Sequence, residues 1–409
     1  MLKIMSLLVQ KFGGTSVADP ERIRAVADQV ARSRRRGDSI ALVVSAMGKE
    51  TDELLHVASQ VSKSRPGREM DMLITAGERK AIALVCMALN DLGVPAESFT
   101  GSQAGFLTTS DHQNAKIIEI NPYRIIEAIE QGIVPVVAGS QGVSEDKNIT
   151  FLGRGGSDTT AVALANAIGA DSCELFTDVS GVFSADPRLV PEAQKMNSIS
   201  FDELLEMTAA GCPKPALRSV ELAYAYNVPL HIRSAFTWEI GTLVTEEVQK
   251  MEKPNIKGVT HEDTDVKFTV VGVPDTPGKS AELFMALAEA GVNVDMIVQN
   301  STTDGKADIS FTLPDEEKAK ATECMSKDLL AKIGADDVSS DGSIATVSII
   351  GAGMKSEPAV AAKMFEALGH AEINIHMIST SPIRISCVVD SERVEEAVII
   401  LHAAFDLGV

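Results

Sequence analysis

The last third of the chain carries the same short pattern twice. Six residues of the first copy recur in the second, always at the separation of 81 residues between positions 277 and 358: Pro277, Ala281, Phe284, Leu287, Asn293 and Met296 return as Pro358, Ala362, Phe365, Leu368, Asn374 and Met377. The first copy predicts a strand at 267–273, a helix at 280–290 and strands at 292–298 and 308–313. The second predicts a strand at 345–350, a helix at 359–368, strands at 373–378 and 383–389, and a last helix from Ser391. Self-similarity of this kind indicates two small α+β modules of the ferredoxin-like type.

The preceding part alternates apolar strands with amphipathic helices. Strands are predicted at 6–10, 40–44, 133–138 and 174–177, and helices from Asp19 to Gly37, from Asn121 to Gly132 and at 159–168. Such alternation is typical of a mainly parallel sheet sandwiched by helices, so the fold class is α/β followed by two α+β modules. Residues 246–258 are polar and contain proline, which places the domain boundary there.

Charge and cysteine content narrow the functional class. The 409 residues carry a net charge of −20, which argues against nucleic acid and anionic membranes as partners. No apolar run approaches a membrane span. The five cysteines are isolated and form no C-x-x-C pair, which argues against a zinc site and fits a reducing cytoplasm. An acidic chain that binds a nucleotide needs local cations, so cations within glycine turns are informative.

Two glycine-rich turns each carry one cation and each connect a strand to a helix. In 11–16, Lys11 ends a strand, and Gly13-Gly14 lets the backbone approach a phosphate. In 153–158, Arg154 suits a carboxylate, and Ser157 and Asp158 lead into a helix whose N-terminus favours an anion. Considered alone, either turn is explained equally well as a tight connection between a strand and a helix with no binding role. Together they predict a kinase for a small acidic metabolite.

The combined motifs resemble those of the aspartate kinases, a branch of the amino-acid kinase family. They are Lys11–Ser16, Thr75–Arg79, Gly153–Asp158 and Thr177–Gly181 followed by Asp186-Pro187-Arg188, and the C-terminal repeats resemble ACT domains. The resemblance covers essentially the whole chain. It implies a catalytic domain at 1–245, a linker and first regulatory strand at 246–263, and ACT domains at 264–340 and 341–409.

The resemblance implies transfer of the γ-phosphoryl group of ATP to the β-carboxylate of L-aspartate, the entry to lysine, threonine and methionine biosynthesis. That carboxylate is ionised at neutral pH, so no general base is needed. The implied catalytic residues are Lys11, Gly13, Gly14 and Asp158, and the implied aspartate-binding residues are Thr51, Glu78, Arg154, Gly155, Gly156 and Ser157. Glu78 is expected to pair with the α-ammonium group.

The nucleotide is expected against a second set of residues: Lys11, Gly13, Gly14, Ser45, Thr177, Asp178, Phe183, Asp186, Arg188 and Lys214. Phe183 stands where relatives often have tyrosine. Prolines flank Lys214 on both sides, which makes a surface lysine the alternative interpretation there. Mg²⁺ is expected to enter with ATP, held by phosphate oxygens and water and by no dedicated protein ligands.

The ACT repeats imply feedback inhibition by lysine, threonine or both. The predicted effector residues are Asp275, Gly278, Lys279, Ser280, Asn293, Asp295 and Gln299 of the first module, with Asn374, Ile375 and Ser381 of the second. Asp275 and Asp295 correspond to Ser356 and His376 in the second copy. Because only the first copy offers carboxylates there, we expect the main effector site to use the first module.

Two questions stay open at the level of sequence. The assembly is expected to be a homo-oligomer or a heterotetramer with an ACT-only chain that starts near Met251. For the activity, the alternatives are a kinase for another acidic amino acid, such as glutamate or acetylglutamate, and an amino-acid sensor whose kinase half has decayed.

Overall fold

The structure is a computed structural model that describes residues 6–65, 67–237, 239–246, 255–301, 305–352, 354 and 358–408. These residues form two units. Unit 1 contains the described chain up to Val182, Lys195–Ala209 and the chain from Pro213 to residue 246. Unit 2 contains Phe183–Gln194, Ala210–Cys212 and the described chain from residue 255 onward. Ser356 and Met251, named in the sequence analysis, lie outside the described residues.

Unit 1 alternates strands and helices as its sequence pattern predicts. Its strands are β1 Leu7–Phe12, β2 Ser39–Val44, β3 Ala96–Phe99, β4 Phe106–Thr108, β5 Ile117–Ile120, β6 Val134–Ala138, β7 Gln141–Val143, β8 Ile149–Phe151, β9 Ser172–Thr177, β10 Ser198–Ser200, β11 Leu230–Ser234 and β12 Thr242–Thr245. Its helices are α1 Pro20–Arg35, α2 Glu50–Val61, α3 Gly67–Ile74, α4 Ala76–Asp91, α5 Tyr123–Glu130, α6 Gly156–Ala167, α7 Phe201–Ala209 and α8 Leu217–Tyr226.

The main sheet of unit 1 places the ends of its central strands at one edge. Within the described residues it has eight strands in the order β10-β12-β11-β9-β1-β2-β6-β3. Every pair along it is parallel except β11 with β12. Helices α1 and α4 pack on one face, while α6 packs against β1, β2 and β9. Because parallel strands end at a common edge, the turns after β1, β2, β6 and β9 meet there.

Unit 2 contains the two repeats. Its strands are β13 Asn255–Pro274, β14 Ile297–Ser301, β15 Lys306–Pro314, β16 Asp337–Ala352, β17 Met377–Thr380 and β18 Arg384–Asp390. Its helices are α9 Lys279–Glu289, α10 Lys318–Cys324, α11 Lys327–Ile333, α12 Pro358–His370 and α13 Val394–Ala404. None of the described helices in either unit combines the length and apolarity needed to span a bilayer.

The two modules share one antiparallel sheet. Its order in the described residues is β14-β15-β13-β16-β18-β17, and β13 and β16 are long enough to serve both modules. The first half of β13 pairs with β16 from Asn255–Ala352 to Glu262–Thr346, and its second half pairs with β16 from Lys267–Asp341 to Val271–Asp337. Residues 255–262 therefore occupy the fourth-strand position of the second module, which the sequence analysis had placed wholly within 341–409.

Most predicted elements match the observed bounds closely, with two exceptions in unit 2. The strands predicted at 292–298 and 373–378 are largely wrong, because the observed strands begin at Ile297 and Met377. Val292 and Met296 are buried and alternate with exposed residues, so this connection fills the core without joining the ladder over its full length. The alternation of buried and exposed residues is also the pattern of a half-buried strand, which explains the wrong prediction.

The segment Phe183–Gln194 folds with unit 2, although the sequence analysis assigned it to the catalytic domain. Ala185 and Val190 are buried in a cluster with Val259, Val398 and residues of α12 and α13. The Ser184 hydroxyl lies 2.9 Å from His402 Nε2, and the Val259 N–H donates to the Ser184 carbonyl at 2.7 Å. Apolar burial and buried hydrogen bonds both attach this segment to the second module.

Candidate active site

The first glycine turn places a lysine at the carboxyl end of β1. Lys11 is 5% exposed, and its Nζ lies 2.6 Å from Asp158 Oδ1. The turn packs tightly, since a Cβ added to Gly14 would lie 2.8 Å from the Ala46 carbonyl oxygen. Only glycine lets the backbone after Lys11 run this close to the end of β2.

Asp158 is the acidic partner of this lysine. Burial raises the pKa of its carboxyl, but the nearby Lys11 and Lys214 ammonium groups outweigh burial and hold that pKa below its ordinary value. The Ala216 N–H donates to its second oxygen at 3.3 Å. Asp158 is therefore ionised at neutral pH, where it fixes the position of the Lys11 ammonium group.

The second glycine turn begins α6 opposite the first. Gly155 has φ +70°, and a Cβ there would collide with Ala216. Helix α6 starts at Gly156, three residues before the predicted helix, so Ser157 and Asp158 lie in its first turn. Arg154 is exposed, so its guanidinium group is accessible to an anionic ligand.

The buried carboxylate of Asp71 holds the residues next to the second glycine turn in place. Asp71 of α3 is fully buried and accepts hydrogen bonds from the Gln113 and Phe151 N–H groups at 2.9 and 3.0 Å, while His112 Nδ1 lies 2.7 Å away. Phe151 ends β8, two residues before Gly153. The sequence analysis missed Asp71, whose only signal was an acidic residue within a helical pattern.

The two turns enclose a cavity of about 240 Å³ in unit 1. Ten predicted site residues line it: Lys11, Gly13, Gly14, Ser45, Gly155, Ser157, Asp158, Thr177, Asp178 and Lys214. Thr15, Gly48, Ser140 and Phe176 line it as well. The common edge of the parallel strands thus assembles residues that are far apart in the sequence, Lys214 among them, with two cations facing the space.

Other predicted residues do not line this cavity. Arg154 and Gly156 belong to its turn but are not among the residues that line it, and Thr51 is half-buried in the first turn of α2. Phe183, Asp186 and Arg188 belong to unit 2, where Arg188 Nε donates to both Asp186 oxygens at 3.0 Å. Those hydrogen bonds lower the pKa of Asp186. The nucleotide roles of these three residues stay predictions.

Glu78, in the first turn of α4, does not line the cavity but accepts a hydrogen bond from the N–H of Ala46, which follows the lining residue Ser45. It is 3% exposed, and burial raises the pKa of its carboxyl to about 7, despite hydrogen bonds from its own N–H and that of Ala46. Its Oε2 atom is buried without a hydrogen-bond partner among the described residues, as is Oε2 of Glu50, whose charge also raises the pKa of Glu78. The other oxygen of Glu50 pairs with Lys80 at 2.6 Å, so the unpaired oxygen of Glu78 is the one that best suits an added ammonium group.

The described residues contain no cluster of three histidine, cysteine, aspartate or glutamate side chains arranged to bind a metal ion. Of the two acidic residues that line the cavity, Asp158 is occupied by Lys11 and the other is Asp178. This donor set fits a cation bound mainly by a ligand's own oxygens.

The predicted effector residues of the first module lie towards opposite ends of β14. At one end, the Ser301 hydroxyl donates to Asp275, and the Ser280 hydroxyl donates to Gln299 Oε1, both at 2.9 Å, beside the start of α9 at Gly278–Lys279. At the other end, the Asn293 side-chain amide donates to Glu317 at 3.3 Å.

Asp295 stands at this second end, where partial burial raises the pKa of its carboxyl and the Arg384 charge opposes the rise. In the second module, the Ser381 N–H donates to the Arg384 carbonyl at 2.7 Å in the β17–β18 turn, and Asn374 and Ile375 precede β17. The predicted effector set therefore does not converge on one point.

Sequence models of two families match the chain. The amino acid kinase family matches residues 6–234, and the ACT domain matches residues 268–329 and 347–405. The curated aspartokinase of Mycolicibacterium smegmatis is 52% identical over 409 residues, which cover 99% of this chain and 97% of that protein. The aspartate kinase of Pseudomonas putida is 46% identical over 404 residues, with 98% of each chain covered.

Solved structures agree with this fold. E. coli aspartokinase III in complex with aspartate and ADP superposes with a TM-score of 0.83 at 23% identity, covering 98% of this chain and all of that one. The aspartate kinase from Synechocystis is 40% identical, with a TM-score of 0.55, and covers 98% of this chain and 70% of that one.

Proposed function

This chain belongs to the amino acid kinase family, as an aspartate kinase with C-terminal ACT domains, and from that premise we propose how its own residues perform and regulate the reaction. The fold class and the function predicted from sequence are thereby confirmed, and the kinase for another acidic amino acid and the decayed sensor give way to an ATP-dependent aspartate kinase.

Phosphoryl transfer takes place in the cavity between the two glycine turns. An oxygen of the aspartate β-carboxylate attacks the γ-phosphorus of ATP, a new P–O bond forms, and the bond from the γ-phosphorus to the bridging oxygen breaks to release ADP. The attacking carboxylate is already ionised, so positioning and charge stabilisation supply the catalysis. Lys11 neutralises charge on the transferring group, while Asp158 holds Lys11 in place at 2.6 Å.

Aspartate and the nucleotide are bound by different turns at the common edge of the sheet. Ser157 and the α6 N-terminus, with Arg154, receive the aspartate carboxylates. Glu78 receives the α-ammonium group, and Thr51 contributes a hydroxyl. Gly13, Gly14 and Ser45 surround the phosphates, with Thr177, Asp178 and Lys214 on the nucleotide side.

Phosphate oxygens and water would hold the Mg²⁺ that accompanies ATP, and Asp178 is the cavity carboxylate that would approach it. When bound, it neutralises phosphate charge. The donor set described above supports this assignment, because Asp158 is committed to Lys11.

The buried Lys11–Asp158 pair between two glycine turns carries this proposal. It is tested by measuring hydroxylamine-trapped acyl phosphate and ADP release with aspartate, glutamate and acetylglutamate as acceptors. We expect turnover with aspartate. Equal turnover with glutamate, or none with aspartate, would contradict it.

Lysine, threonine or both regulate this enzyme through the first ACT module. The corner formed by Asp275, Ser280 and Gln299 at the start of α9 offers backbone N–H groups to an α-carboxylate and a carboxylate to an ammonium group. Asn293, Asp295, Asn374, Ile375 and Ser381 border the junction of the modules instead. Inhibition assays with lysine and threonine, alone and together, identify the effector.

The regulatory sheet also provides the means of assembly. Its outer strands in the described residues are β14 and β17, where Ile297 and Ile378 are 51% and 43% exposed. Unpaired edges with exposed apolar side chains favour pairing with a second regulatory unit, in a homo-oligomer or with an ACT-only chain that starts near Met251. Light scattering, with mass spectrometry of the purified protein, decides between these assemblies.

A further inference from the structure

One residue of the cavity wall has an unfavourable backbone conformation for its type. Ser140 follows the buried strand β6 and has φ +57°, in the left-handed region that serine rarely adopts. It is 5% exposed, so neither hydration nor the mobility of a surface loop accounts for that conformation. Strained residues persist where the surrounding structure holds them, and they concentrate at functional sites.

The surroundings of Ser140 fix it from three sides. Its N–H donates to Thr160 Oγ1 of α6 at 3.0 Å, and its carbonyl accepts from the Leu152 N–H at 2.8 Å. The left-handed turn directs its hydroxyl to that of Ser157, 2.9 Å away. The approach is close, since a Cβ on the preceding Gly139 would lie 2.5 Å from Ser157 Oγ.

The two serine hydroxyls form a unit with one proton to spare. Each hydroxyl carries a single donor, and the hydrogen bond between them uses one of the two protons, whichever serine donates it. Both residues line the cavity, so the remaining proton is available to an anion there. A hydroxyl whose oxygen accepts a hydrogen bond is a stronger and better oriented donor than an isolated one.

We propose that Ser140 is a positioning residue for aspartate, which donates to Ser157 Oγ so that the Ser157 proton points to a substrate carboxylate. The inference rests on the proposed function, in which Ser157 binds aspartate. It accounts for a serine at a position where glycine would fit the backbone without strain.

The test compares Ser140→Gly with Ser140→Ala. Both variants lose the hydroxyl, but only glycine relieves the left-handed strain. We expect both to raise KM for aspartate by about 3- to 10-fold, the effect of one hydrogen bond, with KM for ATP unchanged. We also expect the Ser140→Gly protein to unfold at a higher temperature than the Ser140→Ala protein. If KM for aspartate rose in the Ser140→Ala protein but not in the Ser140→Gly protein, the change would depend on stability and not on the hydroxyl, and the proposal would be overturned.

A double-mutant cycle shows whether Ser140 acts through Ser157. In a Ser157→Ala background, Ser140→Gly should change KM for aspartate by less than about twofold, because its partner is already gone. An undiminished effect in that background, or single variants with the KM of the native enzyme, would overturn it.

Lys147→Gly is the matched control, because Lys147 has φ +65° in an exposed turn between β7 and β8. It should raise stability and leave both KM values unchanged; an equal rise in KM for aspartate would show a general effect of glycine. Failure of the native protein to phosphorylate aspartate would instead refute the proposed function, which separates the two outcomes.

Discussion

The affinity for aspartate should fall as the pH falls through neutrality, because Glu78 must be ionised to pair with the substrate's ammonium group. Burial raises the pKa of Glu78 to about 7, whereas aspartate itself does not titrate between pH 6 and 8. The ionised fraction of Glu78 then falls from about nine-tenths at pH 8 to about one-tenth at pH 6. KM for aspartate should therefore rise by about tenfold across this range.

The assay is initial-rate ADP release at saturating ATP, with KM for aspartate determined at several pH values. Glu78→Gln is the control, because it keeps the shape of the side chain and removes the titration, while ATP titrates identically in both proteins. Its KM should be pH-independent and about tenfold or more above that of the native enzyme at pH 8, since a hydrogen bond to a charged group contributes about 1.5–3 kcal/mol. A flat native profile, or an equal slope in Glu78→Gln, would refute the assignment.

The same shift makes a prediction about stability. The folded pKa of Glu78 lies above its ordinary 4.5, so ionisation opposes folding, and stability is gained as the pH falls from about 7 to 4.5. The difference corresponds to about 3 kcal/mol. Without substrate, Glu78→Gln should be more stable than the native protein at pH 8 by up to that amount, as measured by denaturant unfolding. Equal stability at pH 8 would show that the carboxylate is solvated.

Other substitutions probe the remaining roles. Lys11→Ala should lower kcat by about 10²–10³-fold, as loss of one preorganised donor does, and near-normal turnover of the folded variant would remove Lys11 from the chemistry. Arg154→Ala should mainly raise KM for aspartate, whereas Arg68→Ala, also an exposed arginine, should not; identical KM values would exclude Arg154 from the site. Asp275→Ala should weaken effector binding by about tenfold in calorimetry without changing kcat, and full-strength binding would exclude this corner. Burial lowers the pKa of His402, so stability should be lost as the pH falls below about 6.5, and thermal unfolding of His402→Gln should depend less on pH.

Much of the fold follows from local patterns in the chain. Continuous apolar runs in the buried strands and the period of 3.6 in helices place β1, α1, β2 and β9 within a residue or two of their observed bounds, and Asp19 accepts from the Arg22 N–H as an N-cap should. Both glycine turns were visible because each is encoded within a few adjacent residues, and the repeat was visible because its matches share one separation of 81 residues, from 277 to 358. Where the pattern misled, at 292–296, buried and exposed residues alternated before the strand begins at Ile297.

The sequence determined by itself the two architectures, the two cation-bearing turns and ten of the residues that line the cavity. The tertiary structure alone decided which partner each residue meets: that Ser140 faces Ser157, that burial raises the pKa of Glu78, that 183–194 folds with the second module, and that β13 completes both modules. The reason is physical. Periodicity and turn chemistry depend on neighbours in the chain, whereas pKa values, strain and strand sharing depend on groups that pairing brings together from distant positions.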